Sequence, residues 1–272
     1  MPSSPWVKPN TSNRPIAVIG GGIMGRRISM MWVAAGYSVI LCEKSIESYD
    51  ASKLGTKPGE IKLTASLEEA ASNAWMVIEA VPEKLDMKID ILGQLDKTAP
   101  LDCIVTTNSS SLRSSQMLEK TTHNFRICNS HYYMPPEQTY YEVMSCGYTD
   151  PAIFPFLMDK AATAGFQPAH AKKDSTGLIF NRIWAAIKRE CLLVMADGVS
   201  DGRTIDDMFK SWFKADKGPC QMMDTVGLDT VYNIEVVYEQ QRGVSPRAKD
   251  WLKAAYIDKG NLGAKAGEGL LG

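Results

Sequence analysis

The stretch Pro15-Ile16-Ala17-Val18-Ile19-Gly20-Gly21-Gly22-Ile23-Met24-Gly25, with Ile40-Leu41-Cys42-Glu43 closing eighteen residues after Gly25, decides how this chain is read. β-branched residues run into G-x-G-x-x-G, and Arg27 to Ala35 suits a helix. Gly36 stops that helix, and Tyr37 to Leu41 forms a second apolar strand ending in a carboxylate. This order is a dinucleotide-binding βαβ unit. Gly20 makes the tight turn, Gly22 leaves room for a pyrophosphate, and Gly25 lets the helix pack on the sheet. Free N–H groups where the helix begins, at Ile23 and Met24, and the positive end of its dipole attract the phosphates. Glu43 is placed to accept hydrogen bonds from the adenosine ribose hydroxyls and repels a 2′-phosphate, so the expected cofactor is NAD rather than NADP. Arg26 could assist the pyrophosphate, whereas Arg27 and Lys44 read as solvated charge.

A length of 272 residues supports two packed domains. The net charge of −1 gives no nucleic-acid footprint, and no run approaches eighteen apolar residues, so neither nucleic acid nor a membrane is an expected partner. A small-molecule substrate fits. Residues 1–13 read as a flexible tail without a signal-peptide core. The six cysteines form no C-x-x-C and have no histidine at ligand spacing, so no metal is expected and a reduced, cytoplasmic setting is.

Short apolar runs then alternate with helices. Ala74–Val81, Asp102–Thr107, Arg126–His131, Tyr140–Ser145 and Phe166–Ala171 read as strands, with helices over Glu83–Leu95 and Phe154–Ala164. The fold class is α/β, a Rossmann-type doubly wound sheet spanning 14–174. From 175 to 272 the pattern becomes all-α, with helices over Gly177–Ala196, Ile205–Phe213, Leu228–Gln241 and Ser245–Tyr256, and joints at Asp197-Gly198 and Gly218-Pro219.

Three polar clusters fall beyond strand ends or at the domain junction: Asn108-Ser109-Ser110-Ser111, His131 with Glu142, and Asn181. With VIGGGIMG, VIEAVPEKL, TTNSSSL, SHYYMPP, YYEV, STGLIFNRI, GPCQMMDTVGLD and AKAGEGLL, the chain resembles the L-3-hydroxyacyl-CoA dehydrogenase family, including its lambda-crystallin (L-gulonate dehydrogenase-like) branch. The resemblance implies His131 as general acid/base and Glu142 as its carboxylate partner. It implies that Ser110 and Asn181 hold the substrate oxygen, that Glu83 and Lys88 sit near the nicotinamide ribose, and that Asn108 contacts the cofactor. The chemistry agrees, because hydride removal from an alcohol needs a nearby base of near-neutral pKa. Ser110 could also cap a helix beginning near Leu112.

Two features depart from the family. Met134 stands where the family usually has Asn, three residues after the histidine, and only 35 residues (44–78) separate Glu43 from Glu79. The acyl-CoA enzymes carry a long basic helical hairpin there. This chain has room for a short helix, a strand at Ile61–Thr64 and a helix at Leu67–Ser72, and Lys53, Lys57 and Lys62 read as a solvated face. The expected activity is therefore NAD-dependent hydride transfer on a 3-hydroxy/3-keto thioester. A small non-CoA hydroxy acid, keto acid or imine is the alternative substrate, and a non-catalytic NAD-binding protein the alternative class. The helical part is expected to pair with a second copy as a homodimer.

Overall fold

The computed structural model describes residues 5–43 and 59–272. The short helix, Lys53 and Lys57 expected after Glu43 lie outside the described residues. Two compact units divide the chain, Met1–Leu178 and Ile179–Gly272.

The first unit is built on strands β1 (Ile16–Ile19), β2 (Val39–Cys42), β3 (Ile61–Thr64), β4 (Met76–Glu79), β5 (Ile104–Thr107), β6 (Ile127–Tyr132), β7 (Tyr140–Ser145) and β8 (Gln167–Ala171). They form one eight-stranded sheet in the order β3-β2-β1-β4-β5-β6-β7-β8. Pairs from β3 to β6 are parallel, whereas β7 runs antiparallel to β6 and parallel to β8. The chain leaves β1 for β2 on one side and later returns to pair β4 on the other, so a crevice opens beyond the carboxyl ends of β1 and β4.

Strand alternation divides the core between the two faces of this sheet. Ile16 and Val18 join Ile28 and Trp32 of α1 (Ile23–Ala34) and Phe154 and Leu157 of the helix Ile153–Thr163, whereas Ala17 and Ile19 join Ala70 of α2 (Leu67–Ala71) and Leu92 of α3 (Leu85–Thr98). Burial on both faces explains why the strands read as continuous apolar runs. The Ile153–Thr163 helix is α4.

The segment before β1, expected as a loose tail, is anchored within its described part. Trp6 is 7% exposed, packs on Phe156 with ring centres 5.6 Å apart, and donates its indole N–H to the Asp102 carbonyl at 3.0 Å. An indole with both an apolar slot and an acceptor holds a short segment that its Pro, Ser and Asn content alone would leave free.

The second unit holds α5 (Phe180–Ala196), α6 (Gly202–Phe213), α7 (Pro219–Val226), α8 (Leu228–Arg242) and α9 (Arg247–Ala255). Leu192, Met223, Leu228, Val231, Ala248 and Leu252 form its core. Helix α7 starts at the Gly218-Pro219 pair that the sequence reads as a joint. Proline at a first helical position gives up an N–H that has no partner there anyway, and the Asp206 carboxylate accepts the next two, from Cys220 at 2.7 Å and Gln221 at 2.8 Å. No described helix is long and apolar enough to cross a membrane.

Candidate active site

The glycine turn at the end of β1 separates two requirements. Gly20 has φ +110°, and a Cβ there would stand 2.7 Å from the Ala80 carbonyl oxygen; a Cβ on Gly25 would stand 1.8 Å from the Gly20 oxygen. Both glycines are demanded by the fold. At Gly22 a Cβ meets nothing within 4 Å, so the absence of a side chain leaves open space in front of the turn. Gly22 is also the N-cap of α1 and gives it no side-chain cap, and the first turn carries no acidic residue. The cradle therefore fits a pyrophosphate: backbone donors, a positive helix end and room for close approach.

Glu43, just past β2, accepts the Gly21 N–H at 2.7 Å through Oε2. This bond orients the Glu43 carboxylate toward the glycine turn. Beside it lies a cavity of about 830 Å³ lined by residues that include Gly20, Glu43, Leu67, Pro82, Met87 and Ile91. Its volume and mainly apolar walls suit an adenosine half. Arg26 turns its Nε to the Gly21 carbonyl at 2.6 Å, and Arg27 pairs with Glu137 on the surface.

Four strand ends along the same edge bring the other expected residues together. His131, 5% exposed near the end of β6, stands opposite Glu142 in the β6–β7 register. Its Nδ1 is buried without a hydrogen-bond partner among the described residues. Burial pushes the imidazole pKa down to about 4, against the pull of the Glu83 carboxylate. Glu142, 3% exposed, accepts the hydroxyl of Tyr133, whose ring meets His131 edge to face with centres 4.5 Å apart. The two expected partners thus share a face, but Tyr133 rather than His131 donates to the carboxylate. Glu83 is one carboxylate whose charge acts on the imidazole.

Glu83 belongs to a network assembled at the ends of β4 and β5. Its Oε1 accepts from Ser109 Oγ, from Ser111 Oγ at 2.7 Å and from Ser111 N at 3.2 Å. Burial disfavours its charge, but Lys88 and the two serines outweigh that and hold the carboxyl below its usual range. Lys88, expected near the nicotinamide ribose, is an interior residue. Its ammonium, 1% exposed, reaches Glu79 Oε1 at 2.7 Å, the Val81 carbonyl at 3.2 Å and Glu83 Oε2 at 3.3 Å. Lys88 donates to Glu79 and to the Val81 carbonyl and pairs by charge with Glu83, and so orders both carboxylates. Glu79 also accepts from Thr107 Oγ1 at 2.6 Å and Val81 N at 2.7 Å.

Asn108 ties the end of β5 to β6 through Tyr132 N, 2.8 Å from its Oδ1. Ser110 is exposed and carries no side-chain hydrogen bond among the described residues, which leaves its hydroxyl available. The helix expected near Leu112 is a 3-10 turn at Ser114–Gln116 whose N-cap is Arg113, and Ser109 Oγ accepts Leu112 N at 2.9 Å within the loop before it. Sequence reasoning missed Asn129. Fully buried in β6, it accepts Ser114 N at 2.7 Å and donates to the Leu112 carbonyl at 3.2 Å, fixing the serine loop. Its signal was legible only as a polar residue in an apolar run. Asn181 sits in the first turn of α5, in the second unit. No group of three or more His, Cys, Asp or Glu side chains among the described residues is arranged to hold a metal.

A nucleotide cradle at a sheet crossover, with an imidazole at a neighbouring strand end, is the arrangement of an NAD-dependent oxidoreductase acting on hydroxyl-bearing carbon. Comparison with known proteins carries this further. Residues 48–175 match the 3-hydroxyacyl-CoA dehydrogenase NAD-binding domain family and residues 177–271 the C-terminal domain of the same enzymes. The chain belongs to the 3-hydroxyacyl-CoA dehydrogenase family. The 3-hydroxyacyl-CoA dehydrogenase-like protein LAM1 of Cochliobolus heterostrophus is 44% identical over 146 residues, 53% of this chain but only 31% of that protein's length. Human mitochondrial hydroxyacyl-coenzyme A dehydrogenase is 27% identical over 94% of this chain and 90% of its own. A solved diketoreductase, studied for dual catalysis of dicarbonyl compounds, superposes with a TM-score of 0.79 at 29% identity, over 94% of this chain and 98% of its own.

Proposed function

We propose that the chain moves a hydride between NAD and the carbonyl or hydroxyl carbon of a 3-hydroxy/3-keto substrate, with His131 as general acid/base. The observation that carries this is a buried imidazole at a strand end, its Nδ1 without a hydrogen-bond partner among the described residues and a carboxylate opposite. Bound NAD supplies the hydride acceptor. His131 takes the hydroxyl proton in oxidation and returns it in reduction, Ser110 and Asn181 hold the substrate oxygen, and Glu142 stabilises the imidazolium that forms. Glu43 orients the adenosine ribose, Gly20, Gly22, Ile23, Met24 and Gly25 the pyrophosphate, and Asn108 and Glu83 the nicotinamide side.

The short span between Glu43 and Glu79 and the similarity to a diketoreductase support a small hydroxy or keto acid, or a dicarbonyl compound, beside the acyl thioester. A homodimer through the second unit is part of the same reading. Met208, Trp212 and Phe213 of α6 are 69%, 83% and 63% exposed, more apolar surface than one small bundle needs to show water. The test is His131→Gln, assayed by NADH oxidation with 3-ketoacyl thioesters, free 3-keto acids and dicarbonyls. Turnover should fall by about 10²–10⁴ with NAD affinity retained. Unchanged turnover removes the mechanism.

A further inference from the structure

The turn between His131 and the carboxylate facing it is held from outside by the helix that carries the nucleotide cradle. Residues 133–139 join β6 to β7, and the register they set places Glu142 across from His131. Two of these residues, Pro135 and Pro136, have no N–H with which to tie a turn together. Within the turn the Gln138 N–H meets the Met134 carbonyl at 2.8 Å, and at its far end Gln167 of β8 donates its backbone N–H to the Thr139 carbonyl and its side-chain amide to Thr139 Oγ1, both at 2.9 Å. The nearer end is tied to α1. Arg27 Nη1 donates to the Pro135 carbonyl at 3.0 Å and pairs with the Glu137 carboxylate.

The sequence reads Arg27 as solvated charge, and a pairing with Glu137, whose side chain is 64% exposed, contributes little by itself. The bond to Pro135 changes that reading. Pro135 is buried, and a guanidinium donates to a carbonyl more strongly than a neutral group does. Helical side chains lean toward the N-terminus, so Arg27 leans back over the turn that begins at Ile23, where free N–H groups suit a pyrophosphate. One side chain therefore joins the first turns of the nucleotide helix to the connection that spaces the base from its carboxylate.

We infer that Arg27 is a positioning residue for the hydride chemistry: it clamps the β6–β7 turn to the nucleotide helix and so fixes His131 relative to the cofactor. The positioning role rests on the function proposed above; the clamp itself does not.

The test compares Arg27→Met and Arg27→Lys with the wild type, each as the full chain. Amide hydrogen exchange over residues 133–139, read by mass spectrometry, should quicken about tenfold in Arg27→Met. It should return toward the wild-type rate in Arg27→Lys, whose ammonium can donate to both a carbonyl and a carboxylate. NAD affinity by calorimetry should be unchanged, because backbone donors hold the pyrophosphate. The His131 imidazole, followed by proton NMR, should titrate at higher pH in Arg27→Met as the loosened turn admits water, and kcat in the NADH assay should fall about tenfold with KM for NAD unchanged. Unchanged exchange overturns the proposal, as does a marked loss of NAD affinity, which would make Arg27 a phosphate ligand. Faster exchange with an unmoved His131 titration or an unchanged kcat leaves Arg27 a surface tie and likewise overturns it. If the wild type reduces no carbonyl compound, the proposed function fails, whereas exchange, calorimetry and NMR decide the clamp without a substrate.

Discussion

Removing the buried imidazole should change how stability depends on pH. His131 is brought from 6.5 to about 4 by burial, with Glu83 pulling the other way. Between those values the unfolded chain binds a proton that the folded chain refuses, so stability falls as pH is lowered through this window and is unaffected above it. The gap, at roughly 1.4 kcal/mol per pH unit, amounts to about 3 kcal/mol when complete, of which about 2 kcal/mol has gone by pH 5. Glutamine does not titrate. Urea unfolding of the wild type and His131→Gln at pH 7, 6 and 5 should therefore show the stability difference moving against the wild type by about 2 kcal/mol, other groups cancelling between the two proteins. Curves that stay parallel, or an imidazole proton resonance in the folded protein titrating near 6.5, would refute the burial argument and with it the picture of a base held neutral.

Gly22→Ala should fold with an unchanged Tm, since its Cβ enters open space, and weaken NAD at least about tenfold by calorimetry. Gly25→Ala, whose Cβ meets the Gly20 oxygen, should instead lose several degrees of Tm or fail to fold. Tyr133→Phe deletes a hydroxyl that donates to Glu142 and so strengthens that carboxylate's pull on the imidazole; the acid limb of the kcat/KM profile should then move up by about one pH unit. An unmoved profile means that Glu142 does not act on the imidazole. Lys88→Met leaves Glu79 buried and uncompensated and should cost about 3–5 kcal/mol in chemical denaturation.

The βαβ unit was legible because each of its glycines answers a separate geometric demand, and the sheet because burial on both faces leaves unbroken apolar runs. Less was legible where one residue serves two readings. Proline after glycine marks a joint and equally a helix start, and only the Asp206 carboxylate, thirteen residues before Pro219, shows which holds for α7. The histidine and carboxylate of the candidate site could be picked out, and their placement on facing strands follows from the turn between them. Which side chain donates to Glu142 could not be picked out, since nothing in the sequence singles out Tyr133 as its donor. Lys88 and Asn129 were opaque for a related reason. A lysine and an asparagine ordinarily face water, and here both are interior, Lys88 held by acceptors at the end of the preceding strand and Asn129 by the serine loop fifteen residues before it.

The reversal of direction at β7 ties the spacing of the site to the length of one turn. Residues 133–139 connect β6 to β7, and the pairing they set places Glu142 across from His131. Side chains alternate along a strand, so a single deletion in this turn, taken up by sliding β7, would present Tyr141 or Val143 to the imidazole and send the carboxylate into the opposite hydrophobic layer. Length variants of this connection should consequently divide by parity: changes of two residues can keep an acid beside the base, and changes of one cannot.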